Sequence, residues 1–590
     1  MNKFEKLMCA VLGAALAWYV FTEMKKPKPD PAASEAGVVA QTNAVGAASS
    51  IAVAQNLPAA RPASEPSASE IVSVPSVPEK RVVLENGQLK LELSSWGAVV
   101  TKATLKEYAR DCGEIGEKNP ALEFDFSASP LGQLRDVPEL AANAAYEVRT
   151  VESNSAVFVN AAVTRKITLG DDFKVAFEET FHKHVGETAE KPMSISLGAM
   201  RMGGSKNDLL SVDSLAKDAG KGKEGVLHHC EGDSPLKNYL VGGLTGGCGG
   251  SKSAAGLPFS SEVEVRGAQK WIAVKNRFFV TALASSSDEN VGFSTRIVRD
   301  VNAANYRPQE VLARALFASV PEMRSTVFYV GPKKQSLLWD LGMKDVMEFG
   351  MWRWICYPLV WILNFFNSWI PGYGIAIILL TIFVRVLFWP LTHKSTVGMK
   401  KMQELQPLMK ELQAKFKDNP QRLQQETWAL YKEKKVNPMS SCLPMLIQIP
   451  VFIALFNVLR AAVELRYSGF LWISDLSEPE ALFSSWFPFG GLNILPVLMA
   501  LTTGLQSAFT PSTGDKNQQR MMMIFMPIMM LFMFYSFPSA LSLYWFLSNI
   551  FSIGQMWIIR RQTAAGQRGT AVVPEVIDPP VTRQMRRHQG

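Results

Sequence analysis

From Tyr373 to Leu391 the chain is apolar enough and long enough to cross a bilayer core of about 30 Å, yet Arg385 lies inside that run. A guanidinium there costs on the order of 2.5–3.5 kcal/mol on insertion scales. A plain anchor would not carry that cost. Snorkelling toward the interface, where the run ends at Leu391, would relieve part of it. Thr381, however, lies one turn earlier on the same helical face and makes that face polar. The pair predicts a membrane protein with a wet, positively charged interior cavity and Arg385 as its floor.

The rest of the chain is arranged around that expectation. Its formal charge is +8 over 590 residues, and the basic residues cluster between apolar runs. That pattern indicates membrane orientation and not nucleic-acid binding. Residues 1–24 form an expected transmembrane anchor: Leu7–Phe21 is apolar, with Lys3 and Lys6 before it and Lys25 and Lys26 after it. No small-x-small cleavage pattern follows it. Residues 25–79, rich in Ala, Pro and Ser, cannot bury enough apolar surface to offset the entropy of ordering, so a flexible tether is expected.

Residues 80–334 change to period two. Leu89, Leu91 and Leu93 alternate after Asn86-Gly87, and Lys166–Leu169, Gly170-Asp-Asp172 and Phe173–Phe177 form a predicted hairpin. Further strand-like runs at Met193–Leu197, Val263–Val265, Trp271–Ala284, Val291–Ile297 and Val327–Val330 predict a β-sandwich outside the cytoplasm. Gly203–Gly256 is expected as loop insertions, with His228-His229-Cys230 in a loop. His182 and His184 share a strand face, but no third ligand stands at a suitable spacing, so no metal is expected. Cys112, Cys230 and Cys248 admit one disulfide and one leftover thiol, and the sequence does not choose the pair. No paired-carboxylate or nucleophile motif stands out, and no cofactor is expected.

Residues 335–371 carry Trp339, Trp352, Trp354, Trp361 and Trp369 and predict an amphipathic helix on the outer membrane surface. Residues 372–391 are the expected second transmembrane helix. Residues 392–440 hold ten Lys/Arg against five Asp/Glu, which the positive-inside rule places in the cytoplasm. Within them Met399, Met402, Leu405, Met409, Leu412 and Phe416 recur at helical spacing. Asp418-Asn-Pro420 then breaks the pattern, predicting a helical hairpin. Residues 441–560 contain four more apolar segments, expected as transmembrane helices 3 to 6, although Pro444, Pro450, Pro496 and Pro527 interrupt them. The basic tail 561–590 is expected to be disordered.

Several motifs then occur in one order. Phe328-Tyr-Val-Gly-Pro332 precedes Thr381 with Arg385, followed by Ala429-Leu-Tyr-Lys432, Cys442-Leu-Pro444 and Leu446-Ile-Gln-Ile-Pro-Val-Phe452. Glu464-Leu-Arg466, Phe525-Met-Pro527 and Pro538-Ser-Ala-Leu-Ser-Leu-Tyr-Trp-Phe-Leu-Ser-Asn549 complete the series. Together they resemble the YidC family of bacterial inner-membrane protein insertases, related to mitochondrial and chloroplast insertases.

The resemblance implies an α-helical polytopic membrane protein with six transmembrane helices, five of them an insertase core, and a large extracytoplasmic β-supersandwich domain. It implies a hydrophilic groove, open to cytoplasm and lipid, with Arg385 in it. Thr381, Gln448 and Asn549 would line the groove, with Tyr544 and Trp545 beside the path of the substrate. It also implies an inner-membrane location with both termini cytoplasmic and the β-domain periplasmic. The implied partners are nascent membrane proteins, membrane lipids, the Sec translocon, and the ribosome with the signal recognition machinery. Nucleic acid would be met only through ribosomal contact. Neither an enzyme nor a cofactor is implied. An anion transporter centred on Arg385 would instead show internal repeats, and a membrane-anchored carbohydrate-active protein would show paired acid and base residues. The sequence shows neither.

Overall fold

The computed structural model describes residues 77–568 apart from 114, 118, 138–139, 141–143, 183–191, 202–209, 217–224, 231–261, 300–307, 348, 418, 435, 437–442, 483–490 and 511–515. The expected anchor, most of the tether, the end of the tail, His184 and Cys248 lie outside the described residues.

The first strands are β1 (Arg81–Glu85), β2 (Leu89–Ser94), β3 (Val99–Ala109), β4 (Ala121–Asp125), β5 (Leu134–Arg135) and β6 (Glu147–Val151). Next come β7 (Ser155–Val159), β8 (Val163–Leu169), β9 (Lys174–Phe181), β10 (Met193–Arg201), β11 (Ser211–Ala216) and β12 (Gly225–Cys230). The last are β13 (Glu262–Arg266), β14 (Gln269–Lys275), β15 (Phe279–Ser286), β16 (Asn290–Arg299), β17 (Pro308–Phe317) and β18 (Met323–Pro332). They form a four-stranded sheet β1-β2-β3-β4, a five-stranded sheet β13-β16-β17-β10-β5 and a nine-stranded sheet β12-β11-β14-β15-β18-β9-β8-β7-β6. The five-stranded sheet packs β10 and β17 against β14 of the nine-stranded one.

Local chemistry accounts for the hairpins. Asn86 Oδ1 accepts from the amides of Gln88 and Leu89, which fixes the β1–β2 turn and pairs Leu84 with Leu91. The β8–β9 hairpin closes with Leu169 opposite Val175, and Asp172 and Phe173 take positive φ in its turn. Two expectations are corrected. Trp271–Ala284 is not one strand, because Asn276 Oδ1 accepts from the Phe278 and Phe279 amides and turns the chain between β14 and β15. Gly203–Gly256 is not all loop, because it supplies β11 and β12, and His228-His229-Cys230 is strand and not loop. The apolar alternation of β11 is hidden by Asp213, which is buried and ion-paired to the equally buried Lys275, diagonally across from it on the neighbouring strand β14.

One row crosses three strands. Arg165 on β8 faces Glu179 on β9, which faces Arg324 on β18. Arg165 is 0% exposed, donates from Nε and Nη2 to Glu179 Oε1, at 3.0 Å from Nε, and gives its other hydrogens to the carbonyls of Gly97, Ala98 and Gly132. Arg324 reaches Asp288 at 3.0 Å. Each buried guanidinium thus has a carboxylate partner, as burial of charge requires, although Arg324 Nη2 and Glu179 Oε2 have no hydrogen-bond partner among the described residues.

After β18 come α1 (Gln335–Asp340) and α2 (Arg353–Trp369), joined by short 3-10 turns instead of forming one long helix. On α2, Cys356, Leu359, Val360 and Leu363 are buried while Trp354, Trp361, Phe365 and Trp369 are exposed. Then follow α3 (Tyr373–Glu404), α4 (Gln406–Lys415), α5 (Pro420–Glu433), α6 (Leu443–Ala461), α7 (Ile494–Phe509), α8 (Lys516–Phe534) and α9 (Ser539–Arg568). The helix that holds Arg385 does not stop at Leu391; it continues through Pro390 to Glu404. The break expected at Asp418-Asn-Pro420 separates α4 from α5, where Asn419 Oδ1 caps the amide of Arg422 and Pro420 occupies the first turn. By length and composition α3 is the one described helix able to cross a membrane; Gln448–Ala461, Ile494–Phe509 and Met523–Phe534 are shorter apolar helices.

The chain divides into two compact units. One holds residues through Leu380, Gln448–Leu492 and Ser536–Leu541, and so contains the sheets. The other holds Thr381–Ile447, Asn493–Tyr535 and the chain from Ser542 onward. Within the first, Arg277 of the β14–β15 turn donates to the carbonyls of Arg460 and Ser477 and pairs with Glu478 at 2.6 Å. The Glu478 carbonyl in turn accepts from the amide and hydroxyl of Ser539, the first residue of α9. Cys112 and Cys356 are free thiols, so Cys112 takes no part in a disulfide.

Candidate functional site

Five of the six residues singled out by sequence lie in the second unit: Thr381 and Arg385 on α3, and Tyr544, Trp545 and Asn549 on α9. Gln448, on α6, belongs to the first unit, where it is half-buried. Thr381 is 0% exposed, and Arg385 one turn later is half-buried between the buried Val384 and the exposed Val386. Among the described residues Arg385 makes no ion pair and no hydrogen bond; the group in electrostatic reach of it is the Tyr544 phenol, 3% exposed. Trp545, beside it, packs its ring 5.4 Å from that of Phe534 on α8.

Asn549 shows what the polar groups of these helices do when they are structural. It is 3% exposed, and its Nδ2 donates to Thr503 Oγ1 at 2.9 Å, Thr502 Oγ1 at 3.1 Å and the Met499 carbonyl at 3.3 Å, all on α7. The two threonine hydroxyls donate back to α7 carbonyls, so every partner is used. Two turns on, Gln555 Nε2 donates to Thr392 Oγ1 of α3 at 2.9 Å. Tyr544, Ser548, Ser552 and Gln555 therefore mark one polar face of α9 in otherwise apolar surroundings, and Arg385 meets that face at Tyr544.

Thr502, Thr503, Thr392 and Gln555 were not anticipated from sequence. The available signal was two adjacent threonines followed by Gln506-Ser507 in an apolar helix. Exposed apolar residues surround the polar face: Phe383, Val386, Leu387 and Trp389 on α3, and Ile524, Phe525, Ile528, Phe532 and Met533 on α8. Such a surface is stable only against lipid or another apolar chain. No group of three or more His, Cys, Asp or Glu is placed to hold a metal among the described residues. The arrangement offers an unpaired cation, a phenol and amide and hydroxyl groups to a polar segment, and apolar flanks to a hydrophobic one.

Comparison with known proteins gives these features a context. Residues 365–566 match the family described as 60Kd inner membrane protein, and residues 252–362 match the YidC periplasmic domain. Membrane protein insertase YidC of Syntrophobacter fumaroxidans is 39% identical over 306 residues, which is 51% of this chain and 55% of that protein. The chain therefore spans about half the length of that relative. The protein of the same name from Prosthecochloris aestuarii is 31% identical over 529 residues, covering 85% of this chain and 86% of the other. A crystal structure described as active YidC insertase with the first transmembrane domain resolved matches at 17% identity with a TM-score of 0.34, over 81% of this chain and 92% of that one.

Proposed function

The chain belongs to the YidC family of membrane protein insertases, and from that membership we propose that it takes nascent hydrophobic segments from the cytoplasm and releases them sideways into the inner membrane. The observation that carries the mechanism is the Arg385 side chain, set on an apolar helix without a carboxylate partner among the described residues. In this reading Thr381, Arg385, Gln448, Tyr544 and Trp545 line a hydrophilic groove, and Asn549, its amide held by α7, fixes the helix that carries part of the lining. The polar part of an incoming segment rests there instead of in hydrocarbon, where each unsatisfied polar group costs several kcal/mol. Arg385 attracts acidic residues of the segment being translocated. The apolar part then moves into lipid, driven by burial worth about 25 cal/mol per Å². No bond is made or broken, and the sequence carries no G-x-x-x-x-G-K-[ST] nucleotide loop.

Topology is part of the same proposal. The anchor, α3, α6, α7, α8 and α9 cross the membrane six times with both termini in the cytoplasm. The shorter helices are accommodated by local thinning of the bilayer. The segment from Thr392 to Met439 is cytoplasmic and makes first contact with substrate, with the Sec translocon and with the ribosome or its targeting factors.

Arg385→Glu tests the electrostatic step. In reconstituted proteoliposomes, insertion of substrates with acidic translocated segments is expected to fall at least tenfold, and neutral ones to insert as before. Normal insertion of both classes would remove Arg385 from the mechanism. Photocrosslinking from Thr381 and Tyr544 to a stalled nascent chain tests the groove itself.

A further inference from the structure

Away from Arg385, the first unit contains a cavity of about 530 Å³. Its walls come from the end of β3 (Glu107, Tyr108), from Lys334 just after β18, from Tyr373 at the start of α3, and from the turn after α6 that carries Glu464. Tyr373 is where the apolar helix begins, on the side of the periplasmic domain, and its hydroxyl donates to Asn364 of α2 at 3.3 Å. The exposed Trp361 and Phe365 flank Asn364 on that helix. Aromatic residues at the end of a membrane helix mark the headgroup zone, so the topology proposed above puts the cavity at the level of phospholipid headgroups in the periplasmic leaflet.

Its charges are incompletely used. Arg466 is part of the wall: its Nη atoms donate to the carbonyls of Ala109 and Arg110 and to Tyr467. Lys334 is only loosely held, 3.7 Å from the half-exposed Glu107 and 5.6 Å from the Tyr108 ring. Glu464 has the Asn364 amide and its own backbone amide, with Lys334 as a more distant charge, and no ion pair within 4 Å among the described residues. Burial pushes its carboxyl above the ordinary carboxylate range, as expected for an acid turned inward without a cation. The cavity thus presents a carboxyl that lacks a cation, an ammonium only loosely held, and phenol rings of the kind that receive cations on their faces.

We propose that this cavity binds the headgroup of a zwitterionic aminoethyl phospholipid, its ammonium against Glu464 and the tyrosine rings and its phosphate against Lys334. The volume lies in the range of small-molecule sites. Both charges of such a headgroup find an opposite charge, whereas an anionic glycerol headgroup leaves Glu464 unmatched. The site is separate from the groove residues and does not require the insertion mechanism.

Native mass spectrometry of the full-length protein, released from detergent with equal phosphatidylethanolamine and phosphatidylglycerol of matched chains, tests it. One phosphatidylethanolamine is expected to be retained about tenfold over phosphatidylglycerol, and Glu464→Gln and Lys334→Gln each to lower that preference by about tenfold, the worth of one charge-assisted contact. Lys334 is part-exposed, so its variant keeps the test open if the Glu464 variant does not fold. Equal retention of both lipids, or an unchanged preference in both variants, overturns the proposal. Soluble O-phosphoethanolamine that raises the melting temperature without any lipid preference would assign the cavity to a soluble aminoethyl phosphate and overturn the lipid source. Arg385→Glu is expected to leave retention unchanged, so failure here is distinct from failure of the insertion reading.

Discussion

The periplasmic sheets and the helices of the second unit both hold arginine away from bulk water, under opposite rules. Arg165 is fully buried and meets a carboxylate and three backbone carbonyls, and the carboxylate is shared with Arg324 across the sheet. Arg385 is half-buried and meets no carboxylate among the described residues. Desolvating a guanidinium is repaid only by close pairing. The first arginine is therefore a structural part of its sheet, and removing it leaves Glu179 underpaired. The second has no such partner among the described residues, and the proposed groove gives it one from outside the chain.

The largest expected effect tests the first half of that contrast. Arg165→Met should cost about 3–5 kcal/mol, the usual penalty for breaking a buried pair. It would be read as loss of protease resistance and of cooperative melting in the periplasmic domain. Arg385→Met is the matching experiment on the helices. The melting temperature of the purified protein should stay within the range of a surface change, roughly 0.5 kcal/mol, or rise, while insertion of acidic-flanked substrates falls. If Arg385→Met melts as low as Arg165→Met, the guanidinium has a structural partner and the contrast fails. Asn549→Leu sharpens the comparison inside the helices. Asn549 donates to the Thr502 and Thr503 hydroxyls, which keep their own α7 carbonyls when it is lost, so the expected cost is about 0.5–1.5 kcal/mol, seen as a lower melting temperature.

The same contrast explains what the sequence made legible. Arg385 stood out because a charge in an apolar run breaks a local pattern, and the hairpin strands stood out because alternation and Asn-Gly or Gly-Asp turns are local too. The Arg165–Glu179–Arg324 row was invisible, since its members come from three strands and only register brings them together. Asp213 concealed β11 for a related reason: an inward acid looks like a surface residue until Lys275, distant in sequence, is placed against it. The Asn276 turn was legible in the three consecutive polar residues Lys275-Asn-Arg277, which break period two between two apolar runs. Of the groove residues, only Thr381 and Arg385 come from the local pattern; Gln448, Tyr544, Trp545 and Asn549 come from family resemblance, and Gln448 falls in the first unit while the other five fall in the second.

The smallest expected effect concerns Glu464, an incompletely paired charge that belongs to the unit of the sheets. Burial outweighs its backbone amide, Lys334 and Asn364 and raises its pKa above the ordinary 4.5. The folded protein thus holds this proton more tightly than the unfolded chain does. The resulting stabilisation is fully present below about pH 4.5 and is lost as pH rises through the raised value. In Glu464→Gln that contribution disappears, so the difference in melting temperature between variant and parent should change across this window and be constant above and below it. An ammonium ligand in the cavity favours the ionised acid, and adding phosphatidylethanolamine should shrink the pH dependence of the parent toward that of the variant. A parent and variant with parallel pH profiles, with or without lipid, would mean that Glu464 is paired as Glu179 is, and that the contrast with Arg165 rests on Arg385 by itself.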